Sequence, residues 1–205
     1  MSNYRFITAT DNNPTYVGFI PSWIEHHKKL YENSKIIVVL VSDFLPSNLE
    51  KYKNHIKLWK PIEHLPTAYQ AQMIRMLYPV LLDDKQNILC DMDLFLMTKD
   101  ILIFFNRISN LDKRFINFGC LTFKDCKREK QLPFAFSVYG KQTAIDVFEV
   151  ETIEDIKNLL EREFKKDNSP RGYNWFTDQL YLYKKFIDYP YLTKIDRKGG
   201  DLVRS

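Results

Sequence analysis

The chain has 205 residues, 45% of them hydrophobic and 27% charged, a composition that suits one globular domain with a full core of its own. Its formal charge of +4 is mild, and Lys and Arg are interleaved with Asp and Glu. That balance suits a small anionic ligand such as a nucleotide and offers no basic block of the kind that binds nucleic acid. Three cysteines, Cys90, Cys120 and Cys126, form no CxxC pair, which argues against a disulfide framework or a structural zinc site and points to a reducing, cytoplasmic location. "MSNYRFITAT" lacks the apolar core of a signal peptide, and no apolar run approaches the ~18 residues of a spanning helix, so no membrane span is expected.

The first half alternates strand and helix. "YRFITAT" (4–10) predicts a strand ending in small polar residues and Asp11. "TYVGFIPSWIEHHKKLYENS" (15–34) places Tyr16, Phe19, Ile20, Trp23 and Ile24 near helical spacing, with a kink or a late start expected at Pro21. "KIIVVLVS" (35–42) is a continuous β-branched run, the pattern of a strand buried on both faces. "LPSNLEKYK" (45–53) predicts a short helix and "HIKLWK" (55–60) a third strand. "LPTAYQAQMIRMLYPVLLDD" (65–84) predicts a long helix capped by Thr67, and "NILCDMD" (87–93) a fourth strand. This order implies an α/β fold, a mostly parallel sheet flanked by helices.

In the second half, "RFINFGCLTFKD" (114–125) and "LPFAFSVYGK" (132–141) read as strands. "KQTAIDVFEV" (141–150), the amphipathic "TIEDIKNLLEREFKK" (152–166) and "WFTDQLYLYKKF" (175–186) read as helices, with "DNSPRGYN" (167–174) as a loop. The tail, "DRKGGDLVRS" (196–205), is polar, basic and glycine-containing. No repeat or linker divides the chain, although it is compatible with being one domain of a longer polypeptide.

The chemistry concentrates in "ILCDMDLFLM" (88–97), where Asp91 and Asp93 interrupt an apolar run. Charges in such a run are costly unless paired or bound to a cation. In an extended segment, residues two apart point the same way, so both carboxylates can face one point beyond the strand end. Hard cations such as Mg²⁺ or Mn²⁺ favour such oxygen ligands and share them with substrate phosphates. The plainer alternative is a polar strand-to-turn junction. In an open parallel sheet, ligands bind beyond the carboxyl ends of the strands, and two of those ends carry notable residues, Thr8 to Asp11 and Asp91 to Asp93.

The stretch "AYQAQMIRMLYPVLLDDKQNILCDMDLFL" (68–96) resembles the arginine-bearing helix, Pro, Leu pair and DxD motif of GT-A fold glycosyltransferases. Cys90 stands where that family often has Tyr. The resemblance covers the first ~100 residues in order and pattern, and the second half more loosely through "WFTDQLYLY". The short layout also resembles the small virus-encoded glycosyltransferases of chloroviruses. The resemblance implies a single GT-A (Rossmann-like) domain over 1–205, with residues 1–97 as the nucleotide-binding half and 98–205 as the acceptor- and sugar-binding half. It implies a metal-dependent transfer of sugar from a nucleotide-sugar donor, a UDP-sugar first among them, to a hydroxyl of a glycan or glycoprotein acceptor. Mn²⁺ or Mg²⁺ would be the cofactor.

By the same resemblance, Asp93 coordinates the metal, and Asp91 reaches it through water or binds the donor ribose. Thr8, Ala9, Thr10 and Asp11 line the nucleobase and ribose; an ordinary helix N-cap region is the alternative. Arg75 shares a helix face with Ala68, Ala71 and Gln72, and would reach a phosphate or lock a DxD aspartate; a solvated surface arginine is the alternative. Asp178 is the expected general base of an inverting transfer, with Trp175 stacking on a sugar; helix charge compensation and a core Trp are the alternatives. Arg197, Lys198 and Arg204 would fold over the diphosphate as a lid, with Asp196 or Asp201 as a further metal contact, unless the tail is a frayed terminus. None of the four histidines follows the DxD to supply a third ligand.

Two other enzyme classes fit less well. A sugar nucleotidyltransferase would carry a glycine-rich loop after the first strand, and "ATDNNPTYVG" has only Gly18 within reach. A Rossmann oxidoreductase would carry GxGxxG, which is absent. A non-catalytic, transferase-like module that binds glycans or partners is the remaining alternative.

Overall fold

Runs of β-branched residues build the parallel half of the sheet. β1 (Tyr4–Asp11) pairs in parallel with β2 (Lys35–Val41) and with β4 (Gln86–Leu89), and β2 pairs in parallel with β3 (Ile56–Trp59). The computed structural model describes residues 4–32, 34–83, 86–95, 114–117, 130–132, 134, 137–164 and 177–194. Among the described residues, three further short strands join the sheet. β6 (Ser137–Tyr139) runs antiparallel to both β4 and β5 (Phe115–Asn117), and β7 (Leu192–Lys194) pairs in parallel with β5. The strand order is β3-β2-β1-β4-β6-β5-β7.

Both faces of the sheet are covered, so alternate residues of each central strand enter different cores. Phe6, Val38, Leu40, Ile88 and Cys90 pack under α1 (Pro14–Leu30) with Ile20, Trp23 and Ile24. Ile7, Ala9, Val39, Val41 and Leu89 face α2 (Thr67–Leu77), whose Met73, Ile74 and Leu77 are fully buried. On that second side lie α3 (Lys141–Phe148), α4 (Ile153–Glu163) and α5 (Thr177–Phe186). The Tyr69 hydroxyl donates to the Leu160 carbonyl at 2.8 Å, tying α2 to α4, and the Tyr139 hydroxyl donates to Met76 at 2.6 Å, tying β6 to α2. Phe115 stacks on Phe186 with ring centroids 3.8 Å apart, which anchors α5 to the sheet. Thr152 and Asp155 form a capping box that starts α4.

Several boundaries depart from the sequence pattern. α1 runs through Pro21 without the late start expected there. Proline removes one helical hydrogen bond, at a cost of roughly 3 kcal/mol. Full burial of Ile20, Trp23 and Ile24 on the same helix contributes about 1.5–3 kcal/mol per side chain and outweighs it. The segment expected as a helix at 45–53 is a 3₁₀ helix over Ser47–His55. α2 ends at Leu77 and passes into a 3₁₀ turn over Tyr78–Leu81, because Pro79 has no N–H to continue it. Pro66 occupies the N-cap position of α2, so Thr67 is its first residue and not its cap. β7 had no signal beyond a short apolar stretch before the tail. Among the described residues, no helix is long and apolar enough to cross a membrane.

His27 stands inside the α1 core, between Phe6, Trp23 and Tyr31. Its Nδ1 donates to the Trp23 carbonyl at 2.8 Å, and Nε2 is buried without a hydrogen-bond partner. A proton on Nε2 would have no acceptor. Burial, with a smaller push from His26, lowers the imidazole from 6.5 to about 4, against the opposing effect of the Trp23 carbonyl. The folded-state value lies below the unfolded one. The stability His27 confers is therefore complete above pH 6.5 and is lost as pH falls towards 4. Urea unfolding at pH 7 and at about pH 4.5 should show wild type losing roughly 2–3 kcal/mol more than His27→Leu. Equal losses would mean that the imidazole is not buried neutral.

Candidate active site

Strand order reverses between β1 and β4: the chain builds outward from β1 to β2 and β3, then returns to add β4 on the other side. The helices that follow such neighbouring strands diverge to opposite faces and leave a crevice at the carboxyl ends. A cavity of about 420 Å³ occupies that crevice. Ala9, Thr10 and Asp11 line it from β1, Tyr16 from α1, Ala68, Ala71, Gln72 and Arg75 from α2, and Asp178 and Gln179 from α5. Asp91 and Asp93 line it from the turn after β4.

The DMD segment is a turn, not the extended strand end expected from its spacing. β4 stops at Leu89, Cys90 N–H still reaches the Ile7 carbonyl at 2.9 Å, and Leu94 N–H then folds back to Asp91 O at 3.3 Å. Met92 turns into the α1 core, 3% exposed, while Asp91 is half-buried and Asp93 exposed. Both aspartates line the cavity.

Arg75 joins the walls. One terminal nitrogen donates to Asp91 and the other to Asp178, while the guanidinium carbon lies 3.8 Å from the centre of the Phe134 ring. Its side chain is 12% exposed, that of Asp178 only 1%, and that of Asp91 27%. Burial by itself would lower the Arg75 guanidinium; Asp91 and Asp178 more than reverse this and hold it charged. Burial pushes the Asp178 carboxyl up, against the pull of Arg75. The second oxygen of Asp178 accepts from the Gln179 N–H at 2.8 Å, so no part of this carboxylate stands free. The expectation of Asp178 as a free base meets a buried, ion-paired carboxylate.

Asp11 is oriented from two sides. Its carboxylate accepts the Asn13 N–H at 3.1 Å and the Thr67 hydroxyl at 2.8 Å. Thr67 thus serves the cavity rim where a helix cap was expected. Thr8 does not line the cavity: it is fully buried on the α1 side, where its hydroxyl finds no partner. Arg197, Lys198, Arg204, Trp175, Asp196 and Asp201 lie outside the described residues. Tyr16, Phe134 and Gln179 were missed by sequence reasoning. Gln179 had the signal of following Asp178 directly, whereas Phe134 had none, since it approaches Arg75 only through the fold.

The donor set available to a metal is oxygen only. Among the described residues, no group of three or more His, Cys, Asp and Glu is arranged to hold an ion. Asp91 and Asp93 offer hard carboxylate oxygens at one mouth of the cavity, one of them already engaged by Arg75. Such a pair fits Mg²⁺ or Mn²⁺ when phosphates and water supply the remaining ligands.

Neither a protein-family model nor a curated protein sequence matches the chain. Solved structures do. The glycosyltransferase GlyE of Streptococcus pneumoniae TIGR4 superposes with a TM-score of 0.57 at 13% identity, over 93% of this chain and 44% of that one. The galactosyltransferase LgtC, solved in complex with donor and acceptor sugar analogs, superposes with a TM-score of 0.50 at 9% identity, over 93% of this chain and 72% of that one. This chain therefore spans less than half the length of GlyE. At such identities the likeness is one of fold: the protein has the GT-A α/β fold, a mostly parallel seven-stranded sheet flanked by helices.

Removing Arg75 would leave Asp178 buried without a counter-charge. Arg75→Met should cost about 3–5 kcal/mol in urea unfolding at pH 7, and the double variant Arg75→Met/Asp178→Leu should recover most of it. A single-variant loss below about 1 kcal/mol would mean that the pair contributes little to the closed cavity.

Proposed function

We propose that the protein is a metal-dependent glycosyltransferase that moves a sugar from a nucleotide-sugar donor, a UDP-sugar first among the candidates, to a hydroxyl of a glycan acceptor. The observation that carries this is the charge of the cavity. Among the described residues, Asp11, Asp91, Asp93 and Asp178 line it with a single guanidinium, and that guanidinium is already shared between two of them. Such a pocket repels a diphosphate, unless a divalent cation arrives with it. Asp91 and Asp93 would hold that cation, which supplies Lewis-acid stabilisation of the departing diphosphate. The GT-A fold and the position of DMD at the strand-order reversal support the same reading.

Asp11, held by Thr67, and the small residues Ala9 and Thr10 suit the nucleobase and ribose, with Thr8 beneath them in the core. Arg75 keeps Asp91 directed to the cavity, and Asp178 keeps Arg75 in place. We assign Asp178 this positioning role. The alternative, Asp178 as the general base of an inverting transfer, requires its carboxylate to leave Arg75 when substrate binds. The lid role of Arg197 and Lys198, the cytoplasmic location and the chlorovirus-type likeness rest on the sequence alone.

Thermal unfolding with UDP, GDP or neither, each with and without Mn²⁺, tests the reading. UDP with Mn²⁺ at ~100 times its dissociation constant should raise Tm by about 5 °C or more, and neither component alone should match it. Asp93→Asn should melt like wild type without ligand and lose the shift. Absence of a shift with either nucleotide would turn the assignment to a non-catalytic, glycan- or partner-binding module.

A further inference from the structure

Tyr16 belongs to the first turn of α1, which Asn13 caps by accepting the Thr15 N–H at 3.0 Å. Its ring packs against the α1-side core, and the residue also lines the cavity beside Asp91 and Asp93. It therefore reaches the crevice from one helical layer while Arg75 reaches it from the other. Several donors at or beside this cavity are already committed. Both terminal nitrogens of Arg75 go to carboxylates, the Thr10 hydroxyl goes to the Asp11 carbonyl at 3.1 Å, and the Thr67 hydroxyl goes to the Asp11 carboxylate. The Tyr16 hydroxyl engages none of the described residues through a hydrogen bond.

Burial raises the phenol above its ordinary range, and Asp93 and then Asp91 raise it further. Arg75 opposes them, and Asp11 adds the smallest push. The group is thus a protonated donor at neutral pH, on a residue that lines the cavity together with Asp91 and Asp93. We propose that the Tyr16 hydroxyl donates a hydrogen bond to the diphosphate of the nucleotide bound over Asp91 and Asp93. This assignment rests on the glycosyltransferase reading and adds to it a phosphate contact that is neither a cation nor a basic side chain.

Calorimetric titration of wild type and Tyr16→Phe with UDP and with uridine, all in Mn²⁺, tests it. A hydrogen bond to a charged acceptor predicts that Tyr16→Phe weakens UDP by about tenfold or more and leaves uridine unchanged. A UDP affinity within about twofold of wild type, or an equal loss for UDP and uridine, would overturn the contact while leaving the glycosyltransferase reading intact. Failure of wild type itself to bind UDP with Mn²⁺ would instead overturn that reading, and this assignment with it.

Discussion

One buried guanidinium holds three parts of the site together. Arg75 on α2 reaches Asp91 beyond β4 and Asp178 at the start of α5, with Phe134 against its face. Replacing a whole buried ion cluster by apolar residues of similar volume often costs little, whereas removing one partner alone is expensive. The cluster is therefore better explained by what it positions than by the stability it adds. It sets Asp91 and Asp178 against one shared guanidinium and leaves the outer carboxylate, Asp93, exposed.

Topology makes this convergence possible. Because β4 is added beside β1 on the side away from β2, the ends of β1 and β4 lie together while α1 and α2 cover opposite faces. The crevice receives residues from both layers, Tyr16 from above one face and Arg75 from the other. The same arrangement separates the two cores, so the apolar packing that stabilises the sheet does not fill the cavity. Small residues do the rest: Ala9, Ala68 and Ala71 leave the space that larger side chains would take.

Local chemistry predicted much of this. The β-branched run at 35–42 has the pattern of a strand covered on both faces, and β2 is buried from Ile36 to Val41. Helical spacing set Ala68, Ala71, Gln72 and Arg75 on one face, and that face lines the cavity. Local rules failed where a distant partner overruled them. Pro21 remains inside a helix because the surrounding core holds that helix. Thr67 turns from helix capping to Asp11, 56 residues away in sequence.

The sequence by itself determined the order of strands and helices, the paired carboxylates after a buried strand, and the absence of a glycine-rich phosphate loop. These are short-range properties, written in periodicity, β-branching and spacing. Only the tertiary structure decided that Asp178 closes on Arg75, 103 residues before it in the chain, that Phe134 stacks there, and that Tyr16 faces the same cavity as Asp93. No local pattern encodes those meetings, because they arise from how strand order brings separate layers to one sheet edge, and burial then forces each charge to find a partner.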